Sequence, residues 1–200
     1  MSQPASASRR RPVVISGPSG VGKGTLCQKL LEAHPEALST TVSHTTRKPR
    51  PGEVEGETYY FVSKEKFESL VASRSFVEYA AFNDNFYGTS KQTIIDQTTK
   101  GSTIILDIEM EGVKQLKQEL SKKNSQINPR FVFIKPPSLE TLEVRLRGRG
   151  TEDEGSIQRR LAQARAEIAY AESGVHDRII VNQDVEEAFK QLEDFIFDKT

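Results

Sequence analysis

The stretch RPVVISGPSGVGKGTLCQKLLEAHP, residues 11 to 35, changes its hydrophobic period halfway. Val13, Val14 and Ile15 form a short β-branched run, whereas Leu26, Leu30 and Leu31 recur at helical spacing until Pro35 stops them. Strand, glycine loop and helix therefore follow one another, and the loop GPSGVGKG carries the G-x-x-x-x-G-K spacing of a phosphate-binding turn. Glycines let successive backbone N–H groups converge on phosphate oxygens, the helix N-terminus adds partial positive charge, and Lys23 reaches the outer phosphates. Gly17, Pro18, Ser19, Gly20, Val21, Gly22, Lys23, Gly24 and Thr25 are the candidate loop residues. Gly24 stands where Ser or Thr usually meets magnesium, so Thr25, next along, is expected to take that role directly or through water.

The strand-then-helix alternation repeats along the chain. STIILDIE (102–109) reads as a buried strand followed by the helix MEGVKQLKQELSKK (110–123), and RFVFIKPP (130–137) as a strand followed by the helices SLETLEVRLRGRG (138–150) and SIQRRLAQARAEIAYAESG (156–174). DRIIVNQ (177–183) and DVEEAFKQLEDFIF (184–197) close the chain as strand and helix, with Asp184 as N-cap and Glu187 in capping-box position. Strands beginning near 12, 102, 130 and 177, each followed by a helix, specify an α/β fold with a parallel sheet flanked by helices. The region from 40 to 92 breaks this rhythm. STTVSHTT (39–46), ETYYFVS (57–63) and SFVEYAAF (75–82) read as strands, with SKEKFESLVASR (63–74) and TSKQTIIDQTTKG (89–101) as helices. The expectation is an inserted mixed or antiparallel lobe.

Composition narrows the function classes. Two hundred residues suffice for one substantial domain, and 28 basic side chains cancel 28 acidic ones, so no global field draws the chain to nucleic acid or to an anionic membrane. Any phosphate affinity must be local. Cys27 is the sole cysteine, which excludes an internal disulfide and a cysteine-based zinc site and fits a reducing compartment. In TLCQKLL it reads as a small packing residue. No stretch approaches the roughly 18 apolar residues of a membrane span. The opening MSQPASASRR lacks an apolar run after its charges and is expected to be a disordered tail over residues 1–10.

Two further patterns carry chemistry. In IILDIE, four apolar residues end in Asp107, a carboxylate at the C-terminal tip of a buried parallel strand, where open α/β sheets bind ligands. Beside a phosphate loop, Asp107 suits magnesium, directly or through water; it also suits the cap of the following helix. In SHTTRKPRPGEVEGETYY (43–60), Arg47 and Arg50 stand near prolines and precede Tyr59, and Tyr87 follows in FNDNFYGT. Guanidinium groups and phenols are what a phosphate dianion needs. The competing reading is a charged hairpin whose arginines are satisfied by Glu53 and Glu55.

Read together and in order, ISGPSGVGKGTL, TTRKPRPGEVEGETYYF, FVEYAAFNDNFYGT, ILDIEMEGVK, RLRGRG and AYAESGVHDRIIVN resemble the guanylate kinase family from about Arg11 to Asp198. The resemblance lapses in the N-terminal tail and around SKKNSQINP, which reads as a lengthened loop. It implies a core over about 11–41, 93–137 and 166–200, a GMP-binding lobe over about 42–92 and a helical lid over about 138–165. The implied reaction is magnesium-dependent transfer of the γ-phosphoryl of ATP to GMP, and also dGMP, by a cytoplasmic monomer of purine nucleotide metabolism.

The resemblance also assigns roles. Arg47, Arg50, Tyr59 and Tyr87 would hold the GMP phosphate. Glu78, as a carboxylate facing the adjacent N1–H and exocyclic amine of guanine, would read the base with Ser43 and Thr89; adenine lacks that donor pair. Glu109 falls where the family pattern has Asp, one methylene shorter. Arg145 and Arg149 share a helix face, and Arg145 has no acidic neighbour three or four positions away. Arg147, in contrast, can pair with Glu143. Arg145, Arg149 and Arg160 would close over the transferring phosphoryl group. Asn182 would touch the adenine edge. Two other readings stay open: a catalytically inactive interaction module of the same fold, and a kinase for another nucleoside monophosphate.

Overall fold

A computed structural model describes residues 11–82, 84–99, 101–122, 127–148, 150 and 153–198. The expected tail at 1–10 and Arg149 lie outside the described residues, as does part of the SKKNSQINP loop. The chain forms two compact units. One takes in Ser39–Ile104 and Glu111–Asn128 with the described residues before Val13; the other takes in Val13–Leu38, Ile105–Met110 and Pro129–Thr200.

A five-stranded sheet of order β2-β7-β1-β8-β9 is formed by Leu38–Thr40 (β2), Thr103–Asp107 (β7), Val13–Ser16 (β1), Arg130–Lys135 (β8) and Arg178–Val181 (β9); β1, β8 and β9 lie wholly in the second unit, with Leu38 of β2 and Ile105–Asp107 of β7. β1 runs parallel to β7 and β8, and β8 parallel to β9. Val13, Val14 and Ile15 are completely buried, as expected for a strand covered on both faces. The flanking helices are Lys23–Ala33 (α1), Leu139–Gly148 (α5), Glu154–Tyr170 (α6), which runs on into a π-helical turn over Ala171–Val175, and Val185–Ile196 (α7). Leu26, Leu30, Leu142, Leu146, Leu161 and Leu192 turn inward onto this sheet. Each such side chain contributes roughly 1.5–3 kcal/mol by leaving water. The Asp184 carboxylate accepts from the Glu187 N–H at 2.9 Å, which is the cap expected for α7.

The first unit holds a four-stranded sheet of order β4-β3-β6-β5, made of Tyr59–Phe61 (β4), Ser43–Thr45 (β3), Asn85–Ser90 (β6) and Phe76–Phe82 (β5). β3 pairs parallel with β4 and antiparallel with β6, and β5 antiparallel with β6, so the sheet is mixed. Helices Lys64–Ala72 (α2), Lys91–Thr99 (α3) and Met110–Leu120 (α4) complete the elements.

Two local expectations are corrected. STTVSHTT is not one strand: it divides at Thr41 and Val42 into β2 and β3, which join different sheets. Thr89 and Ser90 do not open the helix α3; they end the strand β6. The Ser90 hydroxyl accepts from the Thr93 N–H at 3.1 Å and starts the helix one residue later. β6 escapes a periodicity reading because it is polar at Asn85, Thr89 and Ser90 and has Gly88 at its centre. Its neighbours on both sides impose the strand, and Gly88 lets the rings pack closely, since a Cβ there would come within 3.0–3.1 Å of Tyr79, Phe67 and Phe76.

Candidate active site

The phosphate loop belongs to the second unit. β1 ends at Ser16 and the chain turns at Gly17, whose φ of 149° and whose position, with any Cβ 2.3 Å from the Ile134 carbonyl oxygen, admit no side chain. The Val21 N–H closes a tight turn on the Pro18 carbonyl at 3.2 Å, and Gly22 leads into α1. Lys23 donates to the Gly17 carbonyl at 2.6 Å, so its ammonium folds back over the loop. Three side chains from later in the chain converge on the same turn. The Arg160 guanidinium, on α6, donates to the Ser19 hydroxyl. Arg145, in the last turn of α5, donates to the carbonyls of Val21 at 3.3 Å and Asn182 at 2.9 Å. The Asn182 amide, only 2 % exposed, donates to the Val21 carbonyl at 2.8 Å, and its own side-chain oxygen has no partner among the described residues.

Arg145 is thus bound to main-chain oxygens and Arg147 to the carboxylates of Glu143 and Glu154, which is the division their spacing predicted. The Arg147 guanidinium holds Glu154 down to about 2.

Asp107 ends β7 in register with Ile15, and the Ile108 N–H donates to the Ile15 carbonyl at 3.2 Å, so the carboxylate stands next to the entry of the loop. One face of Asp107 is open to water, while the protein around the rest raises its pKa; Lys23 opposes that rise and Glu109 adds to it. Thr25 is exposed in the first turn of α1. Among the described residues no group of three or more His, Cys, Asp or Glu side chains is arranged to hold a metal ion. A hydroxyl and a carboxylate, both hard oxygens, nevertheless fit magnesium, which takes the rest of its shell from water and phosphate. Cys27 is pushed up to about 12, chiefly by burial, and is an inert packing thiol.

The first unit carries the other constellation. Glu78 on β5 faces Thr89 on β6, and Thr89 lies beside Ser43 on β3. The Thr89 N–H donates to a Glu78 carboxylate oxygen at 3.1 Å, and the Ser43 and Thr89 hydroxyls share a hydrogen bond of 3.1 Å. Ser43, Thr89 and Glu78 therefore form one polar row across three adjacent strands. Burial raises the Glu78 pKa, and the bonds from Thr89 pull against it.

On the same sheet, Tyr59, which pairs in register with Ser43, meets Tyr87 edge to face with ring centres 6.1 Å apart. The Arg47 guanidinium lies 5.4 Å from the Tyr59 ring centre and is in the electrostatic neighbourhood of Tyr87. Arg47 is not waiting unpartnered. It donates to both Glu53 oxygens, at 2.8 and 2.9 Å, and to the Lys48 carbonyl at 2.8 Å. The Arg50 N–H adds a bond of 2.7 Å to Glu53. These contacts drive Glu53 down to about 2 and raise Arg47 above its ordinary value. Glu55 accepts instead from the Phe61 N–H at 2.9 Å, and the Arg50 side chain is exposed. The charged-hairpin reading is therefore realised for Arg47 and Glu53, alongside the tyrosines that a phosphate site calls for.

Of the expected residues, Ser43, Glu78 and Thr89 come together, as do Arg47, Tyr59 and Tyr87, and as do Lys23, Arg145, Arg160 and Asn182. Glu109 belongs to the second unit, in the electrostatic neighbourhood of Asp107. Sequence reasoning missed Glu167 on α6, which is 3 % exposed, accepts from Gln163 at 2.8 Å and feels Lys23 and Glu109. An acidic residue on a helical stretch with exposed neighbours gives no signal of such burial.

Comparison with known proteins agrees with this arrangement. A family model described as guanylate kinase matches residues 9–199. The guanylate kinase of Schizosaccharomyces pombe is 53% identical over 92% of this chain and 88% of its own length. That of Synechococcus sp. is 47% identical over 94% of this chain and 97% of its own. Among solved structures, guanylate kinase from Anaplasma phagocytophilum superposes with a TM-score of 0.64 at 31% identity, covering 94% of this chain and 85% of that one. The chain belongs to the guanylate kinase family.

Proposed function

We propose that the chain transfers the γ-phosphoryl group of ATP to GMP, giving ADP and GDP. The observation that carries this reading is Glu78: a carboxylate fixed by Thr89 and flanked by the Ser43 hydroxyl, in a chain that also has a lysine-bearing phosphate loop. Guanine presents N1–H and an amine side by side. An ionised carboxylate accepts from both, and a site built for those donors rejects a base that lacks them.

The remaining roles follow from chemistry. Tyr59, Tyr87, Arg47 and Arg50 hold the acceptor phosphate, with Arg47 kept in orientation by Glu53. The loop N–H groups and Lys23 hold the donor phosphates. Arg145, Arg149 and Arg160 bring positive charge to the group in transfer, whose charge spreads over its oxygens, and a lid over about 138–165 excludes water. Thr25 and Asp107 would hold magnesium, which when bound neutralises charge on the donor phosphates. No covalent intermediate is needed, since the acceptor is already an anionic oxygen. Catalysis is positioning and electrostatics.

Glu109 approaches the guanine edge and Asn182 the adenine edge in this reading. The protein acts as a monomer in the cytoplasm and accepts dGMP as well as GMP. The test is ADP formation from MgATP with GMP, AMP, CMP and UMP offered separately, with the diphosphate product identified by chromatography. Turnover with GMP alone is expected. No turnover with any acceptor, from folded protein, would replace this reading with a non-catalytic interaction module.

A further inference from the structure

Resting on the assignment of Glu78 as the guanine-reading carboxylate, we infer that Gln115 is a positioning residue for base selection, acting through the strand that carries Glu78. β5 is an edge strand, since the sheet order β4-β3-β6-β5 gives it a neighbour on one side only. Its pairing with β6 is also irregular just before the critical residue: Phe76 pairs with Ser90 and Glu78 with Thr89, a shift in register across Val77. A bulge of this kind bends a strand and re-aims its side chains, and an edge strand leaves outward N–H and C=O groups unpaired. Left to its own ladder, the segment around Glu78 would be defined from one side.

Gln115 supplies the other side. Its amide oxygen accepts from the Tyr79 N–H at 3.0 Å, and its amide nitrogen donates to the Tyr79 carbonyl at 3.1 Å, so one side chain completes both bonds that a neighbouring strand would have made. The clamp falls one residue beyond Glu78 and just past the irregular step. Its own base is firm. α4 buries Gly112, Val113 and Leu116, and Glu119, one turn further on, pairs with Lys91 of α3 at 2.5 Å. No other side chain joining α4 to β5 would fix the peptide in this two-bond fashion: Asn is a methylene too short, and Glu offers no donor to the carbonyl.

The experiment is a double-mutant cycle on GMP affinity, read by calorimetric titration, with Gln115→Ala, Glu78→Gln and the double variant. Gln115→Ala is expected to weaken GMP about five- to tenfold, the scale of one net hydrogen bond, with ATP affinity unchanged. On the Glu78→Gln background the same substitution is expected to cost less than about twofold, because the group it positions has gone. A merely structural role would weaken GMP equally on both backgrounds, and that result overturns the inference, as does an unchanged GMP affinity in Gln115→Ala alone. If Glu78→Gln itself binds GMP normally, the base-reading assignment falls and this inference with it. If Glu78→Gln is weakened and Gln115→Ala is not, only the clamp falls. Should Gln115→Ala fail to fold, Gln115→Met, of similar shape without donor or acceptor, takes its place in the cycle.

Discussion

Glu78, on β5, and Glu53, in the loop between β3 and β4, are acids of one compact unit with opposite chemistry. Glu53 receives two guanidinium bonds and a backbone N–H, which hold it down at about 2, so it stays ionised throughout any ordinary assay. Glu78 is half-buried, has Thr89 as its donor, and loss of hydration raises its pKa. Its proton therefore returns at a higher pH than for an ordinary glutamate, and a protonated acid cannot accept from both guanine donors. As pH falls, kcat/KM for GMP is expected to drop through a limb that begins above the usual carboxylate range near 4.3. GMP's own phosphate also gains a proton on acidification, but that part persists in Glu78→Gln, where the carboxylate limb should vanish. Identical acid limbs in the two proteins would take the base-reading role away from Glu78.

At the level of elements, the loop before α1 is demanding at one end and lax at the other. Gly17→Ala drives a methyl into the Ile134 carbonyl at a positive φ and is expected to cost at least about 2 kcal/mol. Gly24, inside the first turn of α1, has open space where a Cβ would go, so Gly24→Ala should stabilise by about 0.5 kcal/mol. Urea denaturation of both variants checks the contrast; a destabilised Gly24→Ala would mean that the missing hydroxyl position is under a constraint that packing does not reveal. On α6, Glu167 is buried with one oxygen unpartnered among the described residues and its pKa raised by burial. The sign follows: the folded state holds the proton more tightly, so stability is greatest below the unfolded value near 4.3 and declines as pH rises through the raised one. Glu167→Gln should raise Tm by about 2–4 °C at pH 7, with the gain fading towards pH 4. A lower Tm at pH 7 would show that attraction to Lys23 outweighs the lost hydration. These elements also mark what was legible. β1, α1, β7 and β8 announce themselves because buried parallel strands are apolar runs and α1 changes period sharply. β6 does not, because its strand character comes from two neighbours, and neither does the β2–β3 division, because Thr41 and Val42 look no different from strand residues. Residue types for phosphate and base were readable from motifs, and so was the Glu53 grip on Arg47 six residues away, whereas the bonds from Asn182 and Arg145 to the loop join distant parts of the chain and leave no local pattern.

In the molecule as a whole, the two constellations belong to separate compact units, each with its own hydrogen-bonded support. Lys23, Arg145, Arg160 and Asn182 are tied to one another through the loop; Ser43, Thr89 and Glu78 are tied through three strands. Damage to either network is expected to stay local. Lys23→Ala removes the charge proposed to act on the group in transfer and is expected to lower turnover at least about 100-fold, with GMP titrated alone binding as tightly as to the parent. Glu78→Gln is expected to show the reverse pattern, with MgATP affinity retained and GMP weakened. Calorimetric titration of each substrate into each variant separates the cases, and energetic independence sets the standard: the two losses should sum in the double variant. If Lys23→Ala also lost GMP, the loop lysine would be supporting the acceptor site in the absence of donor, and the separation of binding between the two units would have to be given up. If it kept near-normal turnover, the phosphate-loop assignment itself would fail, since no other cation donates to the Gly17 carbonyl in its stead among the described residues.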